Sequence, residues 1–312
     1  MTTPQPIVIF LNPRAAQDEF LREAVYHLRA LGHDILVHAL WEPGEAERWA
    51  ARSVEEGARA VIAAGGDGTL NEVVNGVLNS AHPDCAVGVL PYGTGNDFAR
   101  AIGLQDDAPS EDLKLLCEID PVPIDVGRIN DRLFVNSATG GLAAEITTGT
   151  PPSLKRLLGG ASYHVSGFMK LFQEVPFEAH LVSDDFEWRG PLAGLCVQNG
   201  RTSGGGFEVA YDARIDDGLL DVLVIPDMPF EERFAAVARI LNHREINNPA
   251  ILYKKLPWIE VHTPGGLQVN ADGEPMRSDL FRFEVFPHAL RFLVPATCEC
   301  LSATKEHESA TP

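Results

Sequence analysis

A chain of 312 residues with 45% hydrophobic and 22% charged side chains has the make-up of a globular protein with a sizeable core, in one large domain or two ordinary ones. Its formal net charge of −19 excludes a reader of nucleic acid, which needs a basic face, and limits contact with an anionic membrane to a local, transient one. Five cysteines without a CxxC pair suggest neither a disulfide framework nor a zinc site, and no apolar run approaches the roughly 18 residues of a membrane span. Met1-Thr2-Thr3-Pro4 places no Lys or Arg before the first apolar run, which makes a poor signal peptide, so the expected compartment is the reducing cytoplasm.

Ile7 to Leu11 is a buried-type strand running into Asn12-Pro13-Arg14. Glu19 to Leu31 carries Phe20, Leu21, Val25, Leu28 and Leu31 at helical spacing. Ile35 to Leu40 is the next strand, and Pro43-Gly44 opens a helix through Ala46, Trp49, Ala50 and Val54. A third strand, Ala60 to Ala64, meets Gly65-Gly66-Asp67-Gly68-Thr69-Leu70-Asn71-Glu72, after which Val73 to Leu78 has helical spacing again. A fourth, Ala86 to Leu90, ends in Pro91-Tyr92-Gly93-Thr94-Gly95-Asn96-Asp97. Strands alternating with helices predict a parallel sheet covered on both faces, with ligands at the carboxyl ends of the strands.

After about Pro121 short β segments take over: Val122–Val126, Leu133–Asn136, Glu178–Val182, Leu192–Val197, Leu219–Ile225, Trp258–His262, Leu267–Asn270 and Phe281–Phe286. Turns rich in Gly, Pro and Asp join them, which predicts a β-sandwich. Pro123 makes the first segment an edge strand or a linker. Ser153–Phe172 and Glu231–Leu241 read as helices, and the polar chain end as frayed.

Chemistry is suggested at five places. Three glycines at the strand-to-helix turn let a backbone approach a phosphate, which the helix N-terminus would favour; a tight turn without a ligand is the alternative. The loop is neither a Walker A loop, lacking Lys-Ser or Lys-Thr, nor a dinucleotide fingerprint, its glycines being wrongly spaced. Gly93 to Asp97 is a second such loop, with Thr94 free to donate a hydroxyl to a phosphate and Asn96 placed to cap a helix. Asp272-Gly273-Glu274-Pro275 is either a plain hairpin turn or a turn that presents Glu274 as a general base. Arg214 to Asp221 offers carboxylates and a glycine to a hard cation such as magnesium, or is an acidic turn. Gly204-Gly205-Gly206 reads as a flexible loop, and Lys155, Arg156 and Lys170 as a small basic surface patch.

The Gly65–Glu72 stretch resembles the nucleotide loop shared by diacylglycerol, sphingosine and NAD kinases. Leu90 to Ala99 is similar to the second motif of the lipid-kinase branch, and Asp217-Gly218-Leu219-Leu220-Asp221 and Asp272-Gly273-Glu274-Pro275 follow in the expected order. Phe134 to Gly141, Ile146-Thr147-Thr148, and Leu154-Lys155 through Ser162-Tyr163 resemble the bacterial YegS-like members of the diacylglycerol kinase catalytic-domain family, and the likeness runs from about Ile7 to Pro295.

That resemblance implies an α/β N-terminal nucleotide-binding domain, residues 1–127 with 296–312 returning to it, and a C-terminal β-sandwich domain, residues 128–295. It implies an ATP-dependent lipid kinase that moves the γ-phosphoryl group to a hydroxyl of a membrane lipid of the diacylglycerol or phosphatidylglycerol type, within phospholipid metabolism. Gly65, Gly66, Asp67, Gly68, Thr69, Leu70, Asn71, Glu72 and Thr94 would bind ATP, and Glu274 would be the catalytic base. Arg214 and Leu219, through their carbonyls, and the Asp217 carboxylate would hold a structural magnesium. Asp67, Asp97 and Asp125 would form an acidic network near the reacting phosphate and its magnesium, and Lys155 would face phosphate or a lipid headgroup. Arg14-Ala15-Ala16 and Leu40 depart from the pattern at two nucleotide contacts. NAD kinase, a sphingoid-base or ceramide kinase and a non-catalytic nucleotide-binding module are the alternatives, and nothing in the sequence singles out an oligomeric state.

Overall fold

A computed structural model describes residues 5–104, 107–140, 176–229, 232, 236 and 251–302. The first half alternates as its apolar spacing requires: β1 (Ile7–Leu11), α1 (Glu19–Ala30), β2 (Ile35–Ala39), α2 (Glu45–Glu55), β3 (Ala60–Gly65), α3 (Asp67–Leu78) and β4 (Ala86–Pro91). Asp18 starts α1 by accepting from Phe20 N and Leu21 N, and Leu21, Val25 and Leu28 are its buried stripe. The four strands are parallel neighbours in the order β2-β1-β3-β4.

Their side chains sort by parity. Val8 and Phe10 share a core cluster with Ala46 and Ala50 of α2 and Val73 and Val77 of α3, whereas Ile7 and Ile9 share another with Leu21 and Leu28 of α1. Two helices follow β4: α4 (Asp97–Ala101), the helix expected after Asn96, and α5 (Pro109–Glu118), which the sequence pattern did not disclose. Leu113 and Leu116 of α5 join the α1 cluster.

The described residues of the second half are nearly all β: β5 (Val122–Ile129), β6 (Arg132–Phe134), β7 (Ser137–Gly140), β8 (Phe177–Val182), β9 (Glu187–Gln198), β10 (Thr202–Ser203), β11 (Phe207–Glu208), β12 (Leu220–Pro226), β13 (Leu252–Leu256), β14 (Trp258–Ala271) and β15 (Glu274–Phe292). Antiparallel pairs β14–β8, β8–β9, β9–β7 and β7–β14 close a ring around one apolar cluster that includes Leu181, Leu195, Val222, Ile259 and Phe283. The two segments expected at Trp258–His262 and Leu267–Asn270 are one strand. Thr263 to Gly266, which reads as a turn, is a register shift within it, with Gly265 and Gly266 at φ 97° and 84°. Pro123 lies where β5 pairs only with β15, since β6 joins from Gly127 onward, so the edge expected of it is observed.

β15 ties the halves together. Beyond its long pairing with β14 and β5, Phe292 pairs in parallel with Val87 of β4, and Leu293 N donates to Val87 O at 2.8 Å. Among the described residues thirteen strands thus belong to one connected sheet. The chain continues back into the first half, where Cys300 joins the α2–α3 cluster. The helices expected at 153–172, the Ile146-Thr147-Thr148 stretch, the patch Lys155, Arg156 and Lys170, and the chain end from 303 lie outside the described residues, as does 231–241 apart from Glu232 and Ala236. Among the described residues no helix is long and apolar enough to cross a membrane.

Candidate active site

Three loops converge at the carboxyl ends of β1, β3 and β4. Tyr92 N donates to Gly65 O at 2.9 Å, Asn12 Nδ2 to Tyr92 O at 3.2 Å, and the Arg14 guanidinium to Gly93 O at 3.1 Å. The glycines there have different reasons to be glycine. A β-carbon at Gly66 would stand 3.0 Å from Gly93 Cα, and one at Gly65 would run into the Thr69 side chain. These two permit chain to pack on chain. Gly68 is different: a β-carbon there would meet nothing within 4 Å. The sequence reading gave all three one purpose, approach of a ligand, and in the structure only Gly68 has no internal demand on it.

α3 begins at Asp67 without a side-chain cap, so the N–H groups of its first turn, which have no intrahelical acceptor, have no capping side chain either. Thr94 is exposed beside it. The other side chains of the loop are turned to structural work. Leu70 is core. Asn71 is buried and donates to Leu133 O at 2.7 Å and Asp272 Oδ2 at 3.3 Å. Glu72 accepts from Gly44 N at 2.9 Å and Ala46 N at 3.1 Å, and so caps α2 from a neighbouring helix. Glu72→Ala is therefore expected to cost about 1 kcal/mol of stability in chemical denaturation, as lost caps do, and to leave ATP affinity unchanged. A nucleotide titration showing a tenfold loss would return Glu72 to the binding site.

The second loop is arranged differently from the expected helix cap. Asn96 stands at φ 51° and turns back, its Oδ1 accepting from Gly93 N at 2.7 Å. Asp67 does the capping instead, accepting from Asp97 N and Phe98 N at 3.2 Å each, so the first loop starts the helix of the second. Asp97 is buried and accepts from Gly205 N and Gly206 N. The run Gly204–Gly206, expected to be a flexible loop, is thereby pinned, and its φ values of 71°, 92° and 96° explain the glycines. Burial raises the Asp97 carboxyl above the usual range against the pull of these donors, and the charge of Asp67 adds to the rise.

Opposite α3 is the hairpin turn between β14 and β15. Asp272 (φ 46°) and Gly273 (φ 96°) form a two-residue turn with both φ positive, which suits Asp-Gly. The hairpin and the functional readings are therefore compatible. A β-carbon at Gly273 would lie 4.0 Å from Gly68 N, so the turn rests against the start of α3. Glu274 follows half-exposed, with Arg132 Nη2 at 3.5 Å from Oε2, and Arg132 also faces Glu47 of α2 at 3.7 Å.

Asp272 was missed by the sequence reading. Its carboxylate accepts from Val135 N at 2.6 Å, Ser137 N at 2.8 Å, Asn136 N at 3.2 Å and Asn71 Nδ2 at 3.3 Å. Burial lifts its carboxyl to about 6, the donors pulling down and the Asp67 charge pushing up. The Asn71 in the loop motif and the Asn136-Ser137 pair are the sequence signals that could have led to it.

Asp125 does not join Asp67 and Asp97. It accepts from Gly218 N at 2.6 Å and His288 N at 2.8 Å, and the charge that raises it, after burial, is that of Asp217. It therefore anchors the Arg214–Leu219 turn. In that turn Asp217 Oδ1 accepts from Leu219 N at 3.1 Å and Oδ2 from Lys255 Nζ at 3.0 Å, while the Arg214 guanidinium donates to Leu301 O at 2.9 Å. The donors do not fit a divalent ion, because the one carboxylate among the three expected ligands is engaged by an ammonium. No group of three or more His, Cys, Asp or Glu side chains suited to a metal occurs among the described residues. Leu40 packs against the α2–α3 cluster, and Arg14 faces the second glycine loop.

Residues 6–129 match the family model described as the diacylglycerol kinase catalytic domain, and 137–294 the YegS C-terminal NAD kinase beta sandwich-like domain. A "Probable lipid kinase YegS-like" of Cronobacter sakazakii is 40% identical over 94% of this chain and 97% of its own length. One of Klebsiella pneumoniae with the same description is 39% identical over 96% and 100%. A crystal structure described as a diacylglycerol kinase of Bacillus anthracis superposes with a TM-score of 0.74 at 21% identity, over 95% of this chain and 99% of that one, and shows the fold.

Proposed function

The chain belongs to the YegS-like lipid kinase family, and from that premise we propose that it transfers the γ-phosphoryl group of ATP to a hydroxyl of a membrane lipid of the diacylglycerol or phosphatidylglycerol type. The observation that carries the site is the uncapped start of α3 with open space at Gly68, faced by the hairpin that bears Glu274. The proposed division is a nucleotide domain of residues 1–127, with helices on both faces of its parallel strands and the chain end returning, and a lipid-facing domain of residues 128–295. The parity of the two core clusters supports the first.

In this reading the N–H groups of Asp67, Gly68 and Thr69 receive the phosphates, and the Thr94 hydroxyl donates to them from the second loop. Magnesium entering with the nucleotide would offset phosphate charge, with Asp67, at the edge of the loop, the residue to hold it. Glu274 accepts the proton of the lipid hydroxyl as that oxygen bonds to the γ-phosphorus and the bond to the ADP oxygen breaks. Asp97 acts through the backbone it holds, as a positioning residue. The charge of −19 suits a cytoplasmic protein whose membrane contact is local and brief. Labelled ATP with a panel of lipid vesicles tests the reading: label is expected in a glycerolipid, and label confined to sphingoid bases or ceramide, or in no lipid, overturns it.

Gly68→Ala isolates the phosphate contact. Alanine suits a helix better than glycine by about 1 kcal/mol, so stability is expected to hold or rise. ATP affinity measured by calorimetry is expected to fall about tenfold or more, because the methyl group occupies the approach. Unchanged affinity would mean that no phosphate comes to this turn. Gly66 is the wrong position for such a test, since its β-carbon would meet Gly93.

A further inference from the structure

The Arg214–Leu219 turn is where family resemblance puts a magnesium ion, and a cation of the chain's own already stands there. Lys255 Nζ lies 3.0 Å from Asp217 Oδ2, 3.0 Å from the Asp212 carbonyl oxygen and 3.5 Å from Asp221 Oδ2. Sheet register fixes the side chain's origin, because Lys255 of β13 pairs directly with Asp221 of β12. Asp221 is fully buried; Tyr253 OH donates to its Oδ1, and its Oδ2 has no hydrogen bond and faces the ammonium. The positive charge thus gathers two carboxylates and a carbonyl from the turn and the strand that leaves it.

A magnesium ion bonded to Asp217 would sit about 2.1 Å from its carboxylate oxygen. It would share that carboxylate with an ammonium, and two like charges cannot both remain at that range out of bulk water without strong repulsion. One has to leave, and only the ammonium is tethered.

We propose that Lys255 replaces the metal in this chain: its ammonium is the structural cation of the Asp212–Asp221 turn, and the turn takes up no magnesium while Lys255 is present. Magnesium accompanying the nucleotide at the phosphate loop is a separate matter.

Thermal melting without nucleotide or lipid reads this independently of activity. Wild type and Asp217→Asn are compared in EDTA and in millimolar magnesium, since an ion bound elsewhere stabilises both alike. The two are expected to shift equally. Lys255→Ala leaves Asp217 and Asp221 uncompensated, so it is expected to melt lower in EDTA and to regain about 2 °C or more in magnesium. The double variant Asp217→Asn/Lys255→Ala is expected to regain nothing beyond the wild-type shift. A larger magnesium shift in wild type than in Asp217→Asn overturns the proposal, and so does a folded Lys255→Ala that magnesium does not rescue. If Lys255→Ala does not fold, the first comparison decides by itself.

Discussion

Glu274→Gln is expected to lower lipid phosphorylation by about 10²–10⁴-fold, the usual cost of losing a general base, with ATP affinity nearly unchanged. The amide keeps the size of the carboxylate and most of its hydrogen bonding but cannot take the proton. The phosphate loop is untouched, because Glu274 reaches it only across the hairpin turn, at Gly273. Stability is expected to change little: the side chain is 44% exposed, and its ion pair with Arg132 at 3.5 Å is of the kind worth about 0–1 kcal/mol. Glu274→Asp should recover part of the rate, since the carboxylate retreats by one C–C bond and positioning on that scale matters. Single-turnover lipid phosphorylation with calorimetric ATP binding checks both. Wild-type turnover in Glu274→Gln would move the search for a base to Asp67 and Asp97, although both carboxylates already accept from backbone N–H groups.

Asp272→Ala is expected to be the most damaging single change to the fold of the site. It strips the acceptor from four donors, the N–H groups of Val135, Asn136 and Ser137 and the Asn71 amide. Each unsatisfied buried donor costs about 1–3 kcal/mol, and with relaxation the total should be about 3–5 kcal/mol in urea denaturation. Turnover should fall as well, since the hairpin that carries Glu274 loses its tie to α3. A loss below about 1 kcal/mol would show that the carboxylate does not organise the turn.

The pH dependence of Asp272 has a definite sign. Its folded carboxyl is raised to about 6, so the part of its stabilisation linked to holding the proton is fully present below the unfolded value of about 3.9 and is lost as pH rises through about 6, leaving the hydrogen bonds from its four donors. The stability gap between wild type and Asp272→Asn is therefore expected to narrow as pH rises across that window.

The alternating half was legible because its strands are short, apolar and bounded by glycine or proline, and its helices carry a clear stripe. α5 escaped notice because its ten residues bury only a few apolar side chains, Leu113, Leu116 and Cys117 among them. β14 was split because Gly265-Gly266 has the composition of a turn, and only the partner strands turn that conformation into a register shift. The same limit applies to the site. The Asp-Gly turn before Glu274 was legible from two adjacent residues, whereas Asp272 takes its meaning from residues 135–137 and 71, far away in sequence. Asp125 looked like a third member of the phosphate-loop acids because its type and order fit. Its partners, Gly218 and His288, lie on segments whose approach no local pattern encodes.

The strand β15 sets a limit on how such a protein can be recombined. The two family models meet between residues 129 and 137, which invites exchange of halves between relatives at that point. Yet β5, on the first side of that cut, lies against β15, from the second, and the far end of β15 pairs with β4 back on the first. A chimaera joined there would inherit Glu274 and the β4 neighbour Phe292 from one parent, and both the Gly65–Glu72 loop and the β5 that pairs with Phe292 from the other. The seam runs along two strand interfaces rather than across a linker. The unit that evolution can trade without refitting side chains is the whole chain, or else a loop at its rim.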